Sequence, residues 1–140
     1  MKFLKWIRSF DLKKAGICSV IIGVINILVH LLVITEILPF AWVNGGRTAT
    51  FSEACDISTS SIIMTFINIL IALIASKIIP IKLNKYVGIA LSVFLIITLP
   101  LSLVGVIQQF LGTIFEKCVM SIITIIGFIA DVRIAFEKRW

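Results

Sequence analysis

Apolar residues fall along this chain in four long blocks, each broken off by a short run of proline, glycine or charge. Blocks of this length exceed what strands or ordinary core helices need and point to membrane-spanning helices. The pattern predicts spans at 15–38, 57–79, 86–107 and 113–136. At 1.5 Å per residue the first span covers about 36 Å, enough to cross a hydrocarbon core of about 30 Å. Pro39 and Pro80 close the first and second spans. Pro100 lies inside the third, where it removes one backbone donor and predicts a kink. Thr50 and Glu53 form a T-x-x-E capping box, which can start the second helix earlier than its apolar block.

Residues 1–14 form a separate basic, amphipathic segment. Phe3, Trp6, Ile7 and Phe10 share one helical face, with Lys2, Lys5 and Arg8 elsewhere around it. Two readings stand: an interfacial helix with aromatics at the acyl boundary, or a frayed basic tail that only sets orientation.

Polar residues inside the spans are not scattered. At 100° per residue, Gly16, Ser19, Gly23, Asn26 and His30 cluster on the first helix. Ser58, Ser61, Thr65, Asn68, Ala72 and Ser76 do so on the second, and Thr113, Lys117, Thr124, Gly127 and Asp131 on the fourth. The third carries a weaker stripe of Gly88, Ser92 and Ser102. Such stripes face protein, because small residues allow close packing and hydroxyls or amides find partners across helices. Counting depth from the outer ends pairs Asn26 with Asn68 and His30 with Thr65. These contacts are either structural glue or the wall of a polar cavity or relay. Asn26, His30, Thr65, Asn68 and Asp131 are therefore the intramembrane candidates. An ionisable residue at membrane depth is a functional hypothesis in itself. His30, the single histidine, is the side chain that ordinarily titrates near neutral pH. Asp131 lies at a level comparable to Lys14 and Lys85, so an internal ion pair there competes with a proton or ion relay.

Composition agrees with a lipid environment. Of 140 residues, 60% are hydrophobic and 14% charged, with mean hydropathy +1.17. A soluble domain is nearer half apolar and a quarter charged. The net charge of +6 does not indicate nucleic acid, because the basic residues flank apolar blocks and make no groove or helix face of their own. Eleven of the thirteen Lys and Arg fall on the N-terminal flank, the middle connection with Lys77, Lys82 and Lys85, and the C-terminal end, leaving Arg47 and Lys117 on the opposite side. By the positive-inside rule both termini are expected in the cytoplasm and 39–56 outside, in what is expected to be a bacterial cell membrane.

The stretch 39–56 concentrates the chain's polar chemistry. It is about 18 residues long, well beyond common connections. Asn44-Gly45-Gly46-Arg47 is turn sequence whose amides can cradle an anion, with Arg47 adding a charged fork; alternatively it only reverses the chain. Trp42 reads as an interfacial anchor, with a stacking role as the alternative. Glu36, Trp42, Asn44, Arg47, Glu53, Asp56, Glu116 and Lys117 form an expected outer rim. Arg47 and Lys117 are expected to share Glu36, Glu53 and Asp56, since carboxylates near lipid seldom stay unpaired. Cys55 and Cys118, near the outer ends of their helices, are a possible disulfide. Cys18, at the other side, reads as a packing residue. No CxxC is present, and a metal site would have to combine His30 with distant carboxylates. No cofactor is called for.

Known small four-helix families are not matched. Small multidrug-resistance transporters embed a glutamate in the first helix, whereas Glu36 falls at the helix end. Dual-topology fluoride channels lack so strong a charge bias, and the vitamin K epoxide reductase type requires the absent CxxC.

The fold expected is all-α, an up-down-up-down four-helix membrane bundle. Short connections at 80–85 and 108–112 are expected to make antiparallel neighbours. Three functions follow in order. The first is a binding or accessory protein using the rim, with membrane lipids and another membrane protein, an extracytoplasmic protein or a peptide as partners. The second is a small transporter or channel along Asn26, His30 and Asn68. The third is a lipid-modifying enzyme with Glu36, Arg47 and Glu53 as working groups. No nucleophile–base motif supports the third.

Overall fold

The computed structural model describes residues 2–139, apart from the side chain of Phe3. Among them the chain is about 80% helical with no strand, and four helices are long and apolar enough to cross a membrane. This supports an integral, multi-pass membrane protein.

Helix α1 (Lys2–Ser9) is followed by α2 (Leu12–Ile34). Asp11 caps α2 by accepting from the Lys14 amide at 2.9 Å, and that bond holds its carboxyl below the ordinary value. The cap starts α2 three residues before its apolar block. Of the expected aromatic face of α1, the Phe3 side chain lies outside the described residues. Ile7 is buried, whereas Trp6 and Phe10 are exposed and meet edge to face at 5.1 Å. The segment is tied down at its end: Arg133 Nε donates to the Phe10 carbonyl at 2.7 Å and Arg8 Nε to the Phe136 carbonyl at 2.8 Å.

Helix α2 stops at Ile34, four residues short of the expected end. Glu36 takes a left-handed φ of 59°, and its amide bonds back to the Val33 carbonyl. Helix α3 (Phe51–Ala75) ends the same way: Lys77 has φ 59° and its amide bonds to the Ile74 carbonyl. Both stops read Thr/Ser, charged residue, Ile, Leu/Ile, Pro, as Thr35-Glu36-Ile37-Leu38-Pro39 and Ser76-Lys77-Ile78-Ile79-Pro80. Left-handed closure three residues ahead of each proline thus ends the helix before proline can. At the start of α3, Thr50 accepts from the Glu53 amide at 3.2 Å and Glu53 accepts from the Ala49 amide at 2.9 Å. The capping box therefore moves the helix start to Phe51, six residues ahead of the apolar block.

Helix α4 (Lys85–Leu111) continues through Pro100, which is exposed. A π-helical turn (Glu116–Met120) opens the last helix, α5 (Ser121–Ala135). It adds a residue to the repeat and shifts the phase of all that precedes it. Lys117, expected on the inner stripe, is consequently exposed, and Glu116 is buried in its place.

Helix α2 packs along both α3 and α5, and α4 packs along α5. Small residues allow the first contact: a Cβ on Gly16 would fall 2.1 Å from Ser76 Oγ. The expected α3–α4 neighbourhood does not form an extended seam. Arg139 enters between them, reaching Ser92 Oγ on α4 at 3.0 Å and the Ala75 carbonyl on α3 at 3.3 Å. Two apolar clusters close the bundle at separate levels. Val33, Val43 and Ala54 form one with Phe40 and Phe115; Ala72, Ala75 and Ile134 form the other with Leu12, Leu91 and Leu95. Polar residues occupy the space between.

Candidate functional site

Between the two apolar clusters lies a cavity of about 390 Å³, walled by all four long helices. Helix α2 contributes Ser19, Asn26 and His30, and α3 contributes Ser61, Thr65 and Asn68. Ser102 and Gln109 come from α4, Thr124 and Asp131 from α5. The five intramembrane candidates therefore converge on one space. Because α3 and α4 face each other without a seam, the cavity's open flank lies between them, where Asn68 is exposed.

Three cross-helix contacts order its walls. Ser19 Oγ donates to Asp131 Oδ1 at 2.9 Å, Asn26 Nδ2 donates to Thr65 Oγ1 at 2.9 Å, and His30 Nδ1 lies 3.1 Å from Ser58 Oγ. The expected pairings, Asn26 with Asn68 and His30 with Thr65, are replaced by partners one to two turns nearer the start of α3. The cause is the helix ends: α2 stops four residues early and α3 starts six early, so depths counted from 38 and 57 are misplaced. Asp131 meets Ser19 and forms no ion pair with Lys14 or Lys85 among the described residues.

Among the described residues no lysine or arginine lines the cavity. Its ionisable groups are Asp131 towards one end and His30 towards the other, with Ser19 and His30 about 17 Å apart along α2. Two buried wall atoms, Asn44 Nδ2 and Gln109 Oε1, have no hydrogen-bond partner among the described residues. The wall therefore offers a donor, an acceptor, several hydroxyls and one carboxylate. This chemistry suits a small polar or cationic occupant and disfavours an anion. Gln109 was absent from the sequence candidates, although its spacing of seven from Ser102 puts both on one helical face.

The rim expected on the outer side is built differently from the expectation. Asn44, Gly45 and Gly46 all take left-handed φ values of 57°, 69° and 65°. The anion cradle in this turn is filled from within the chain: the Gly45 amide donates to both oxygens of Glu116, each at 3.0 Å. Glu116 is 4% exposed and also accepts from the Thr113 amide at 2.8 Å. Thr113-x-x-Glu116 is thus a second capping box, and Thr113 Oγ1 also donates to the Trp42 carbonyl. Arg47 and Lys117 make no ion pair with Glu36, Glu53 or Asp56 among the described residues, and all five are exposed. None is buried, so none needs the pairing that burial would impose. Trp42 stands against Phe115 with ring centroids 6.0 Å apart.

Cys18, Cys55 and Cys118 are free thiols, so the Cys55–Cys118 bond is not formed. Cys118 belongs to the π turn and is exposed in an apolar groove beside Trp42 and Ile114, whereas Cys55 is half-buried in the first turns of α3. Among the described residues no group of His, Cys, Asp and Glu could hold a metal ion. Glu36, Arg47 and Glu53 take no part in the cavity.

No family model, curated protein or solved structure matches this chain.

Proposed function

We propose that this is a small carrier-type membrane protein that takes a polar or cationic solute into the cavity between α2, α3, α4 and α5. The observation that carries the reading is a wall of hydroxyls and amides midway along the membrane-length helices, with Asp131 as its carboxylate and no lysine or arginine among the described residues. Apolar clusters at both levels favour a bound solute over a continuous pore along the bundle axis. The proposed topology is up-down-up-down with both termini in the cytoplasm of a bacterial cell and 39–50 outside. It rests on the eleven basic residues of one side and on the contacts Gly16–Ser76 and His30–Ser58, which pair the start of α2 with the end of α3 and the end of α2 with the start of α3.

Cysteine accessibility tests the reading. In a background without native cysteines, Ser61→Cys should react roughly tenfold faster with a cationic methanethiosulfonate than with an anionic one. Asp131→Asn should narrow that ratio. Failure of both reagents to modify Ser61→Cys in folded protein would remove the solute-accessible cavity.

A second reading is favoured by the rim. Arg47, Lys117, Glu36 and Asp56 are exposed and make no ion pair among the described residues, so they are available to an extracytoplasmic peptide or a partner protein. Under this reading the protein is an accessory or binding protein, and Arg47→Ala should abolish partner capture without unfolding the bundle.

A further inference from the structure

A second concavity, of about 450 Å³, lies at the end of the bundle where α3 terminates and the C-terminal tail returns. It is separate from the polar cavity and has the opposite electrostatics. Four cations line it: Lys77 after α3, Lys82 in the α3–α4 connection, and Lys138 and Arg139 on the tail. Four cations around one basin repel one another unless an anion compensates them.

The chain supplies little compensation. Glu137 is the carboxylate that pairs with a lining cation, and it is divided between Lys77 at 3.1 Å and Arg133 at 2.9 Å. Lys82, Lys138 and Arg139 have no ion pair among the described residues. The terminal nitrogens of Arg139 are engaged by Ser92 Oγ and by the carbonyls of Glu137, Ala75 and Ile134. Its Nε is buried with no hydrogen-bond partner among the described residues. Burial holds the guanidinium below its ordinary value, with the charge of Glu137 opposing and that of Arg133 adding. A buried guanidinium with an unused donor favours a counter-anion.

The basin is not polar on every side. Ile74 and Ile81 belong to its wall, and Ile81 is 53% exposed. Cations beside exposed apolar side chains, at the end of membrane-length helices, match a molecule with an anionic head and acyl chains. We propose that this basin binds the phosphate headgroup of an anionic phospholipid, with Lys82 and Lys138 holding the phosphate, the charge of Arg139 behind them, and Ile74 and Ile81 meeting the chains. A free phosphate ion shares the head chemistry but has no use for the apolar wall.

Native mass spectrometry on the full-length protein in detergent tests this, with phosphatidylglycerol as probe and phosphatidylcholine of the same chains as control. Phosphatidylglycerol should bind in preference. Lys82→Gln/Lys138→Gln, at two exposed positions, should weaken it about twenty-five-fold, from roughly fivefold per lysine near an anionic surface. Lys2→Gln/Lys5→Gln removes the same charge from α1 and should change binding by less than about twofold. An unchanged melting temperature in the basin variant separates lost binding from lost folding. Equal binding of the two lipids, or equal loss in the two double variants, overturns the proposal. Displacement of phosphatidylglycerol by an equal concentration of inorganic phosphate overturns the lipid as the source of the headgroup.

Discussion

Both carboxylate oxygens of Glu116 lie 3.0 Å from the Gly45 amide nitrogen, so the turn between α2 and α3 is fastened to the start of α5. Gly112 makes room for the fastening: a Cβ there would fall 2.1 Å from Glu116 Oε2. Buried hydrogen bonds to a charged acceptor contribute about 1.5–3 kcal/mol. Glu116→Gln should therefore lower thermal stability in detergent by an amount in that range. Hydrogen exchange at Gly45 should quicken in the same variant. Wild-type protection at Gly45 would show that the carboxylate does not hold the turn.

The approach of α2 to α3 gives a second prediction. Gly16 leaves no space for a methyl group, since Ser76 Oγ would be 2.1 Å away and Ser76 Cβ 2.3 Å. Gly16→Ala should destabilise the bundle by about 1–3 kcal/mol, the usual cost of overpacking. Gly16→Ala/Ser76→Gly should recover most of that loss, because it restores the clearance. An equally unstable double variant would place the damage elsewhere.

Four apolar blocks and their polar stripes were legible in the sequence because membrane helices must be long and continuous, and because polar groups in lipid seek one another. The convergence of Asn26, His30, Thr65, Asn68 and Asp131 on one cavity follows from those stripes. Pairings were not legible, because they depend on helix ends set by caps. Left-handed Glu36 ends α2 at Ile34, and Thr50 starts α3 at Phe51. Together they move the partner of His30 from Thr65 to Ser58. The π turn has no signal in hydropathy, yet it alone exchanges Lys117 for Glu116 on the inner face. Arg139 between α3 and α4 is likewise invisible to periodicity, since it lies beyond the last helix.

The Asn26–Thr65 bond crosses α2 and α3 within the cavity wall. Such bonds average about 0.6 kcal/mol in membranes and seldom exceed about 1.7 kcal/mol. A double-mutant cycle of Asn26→Leu and Thr65→Val should yield a coupling energy in that range. The parallel cycle of Asn26→Leu with Asn68→Leu should yield a smaller coupling, because Asn68 is exposed at the open flank. Stronger coupling to Asn68 would restore the pairing expected from counted depth.

Glu137 joins Lys77 to Arg133, and so ties the end of α3 to the end of α5. Burial alone would raise its carboxyl, but hydrogen bonds from Arg133 and Lys77 and their charges outweigh it, and the net shift is below the ordinary 4.5. A carboxyl lowered on folding binds protons more weakly in the folded chain than in the unfolded one. Its stabilisation is complete above about pH 4.5 and disappears as pH falls through the lower folded value. The difference in melting temperature between wild type and Glu137→Gln should therefore be constant between about pH 6 and 8, and should shrink below about pH 4. Lys77 is exposed and its bond contributes little, so Lys77→Gln should reproduce only a small part of the difference. Arg133→Gln should exceed Glu137→Gln, because the Arg133 guanidinium also holds the carbonyls of Phe10 and Arg8 and its loss leaves α1 tied by Arg8 and Ile7 alone. A difference that grows towards acid pH would mean that Glu137 is folded in its protonated form, against both ion pairs.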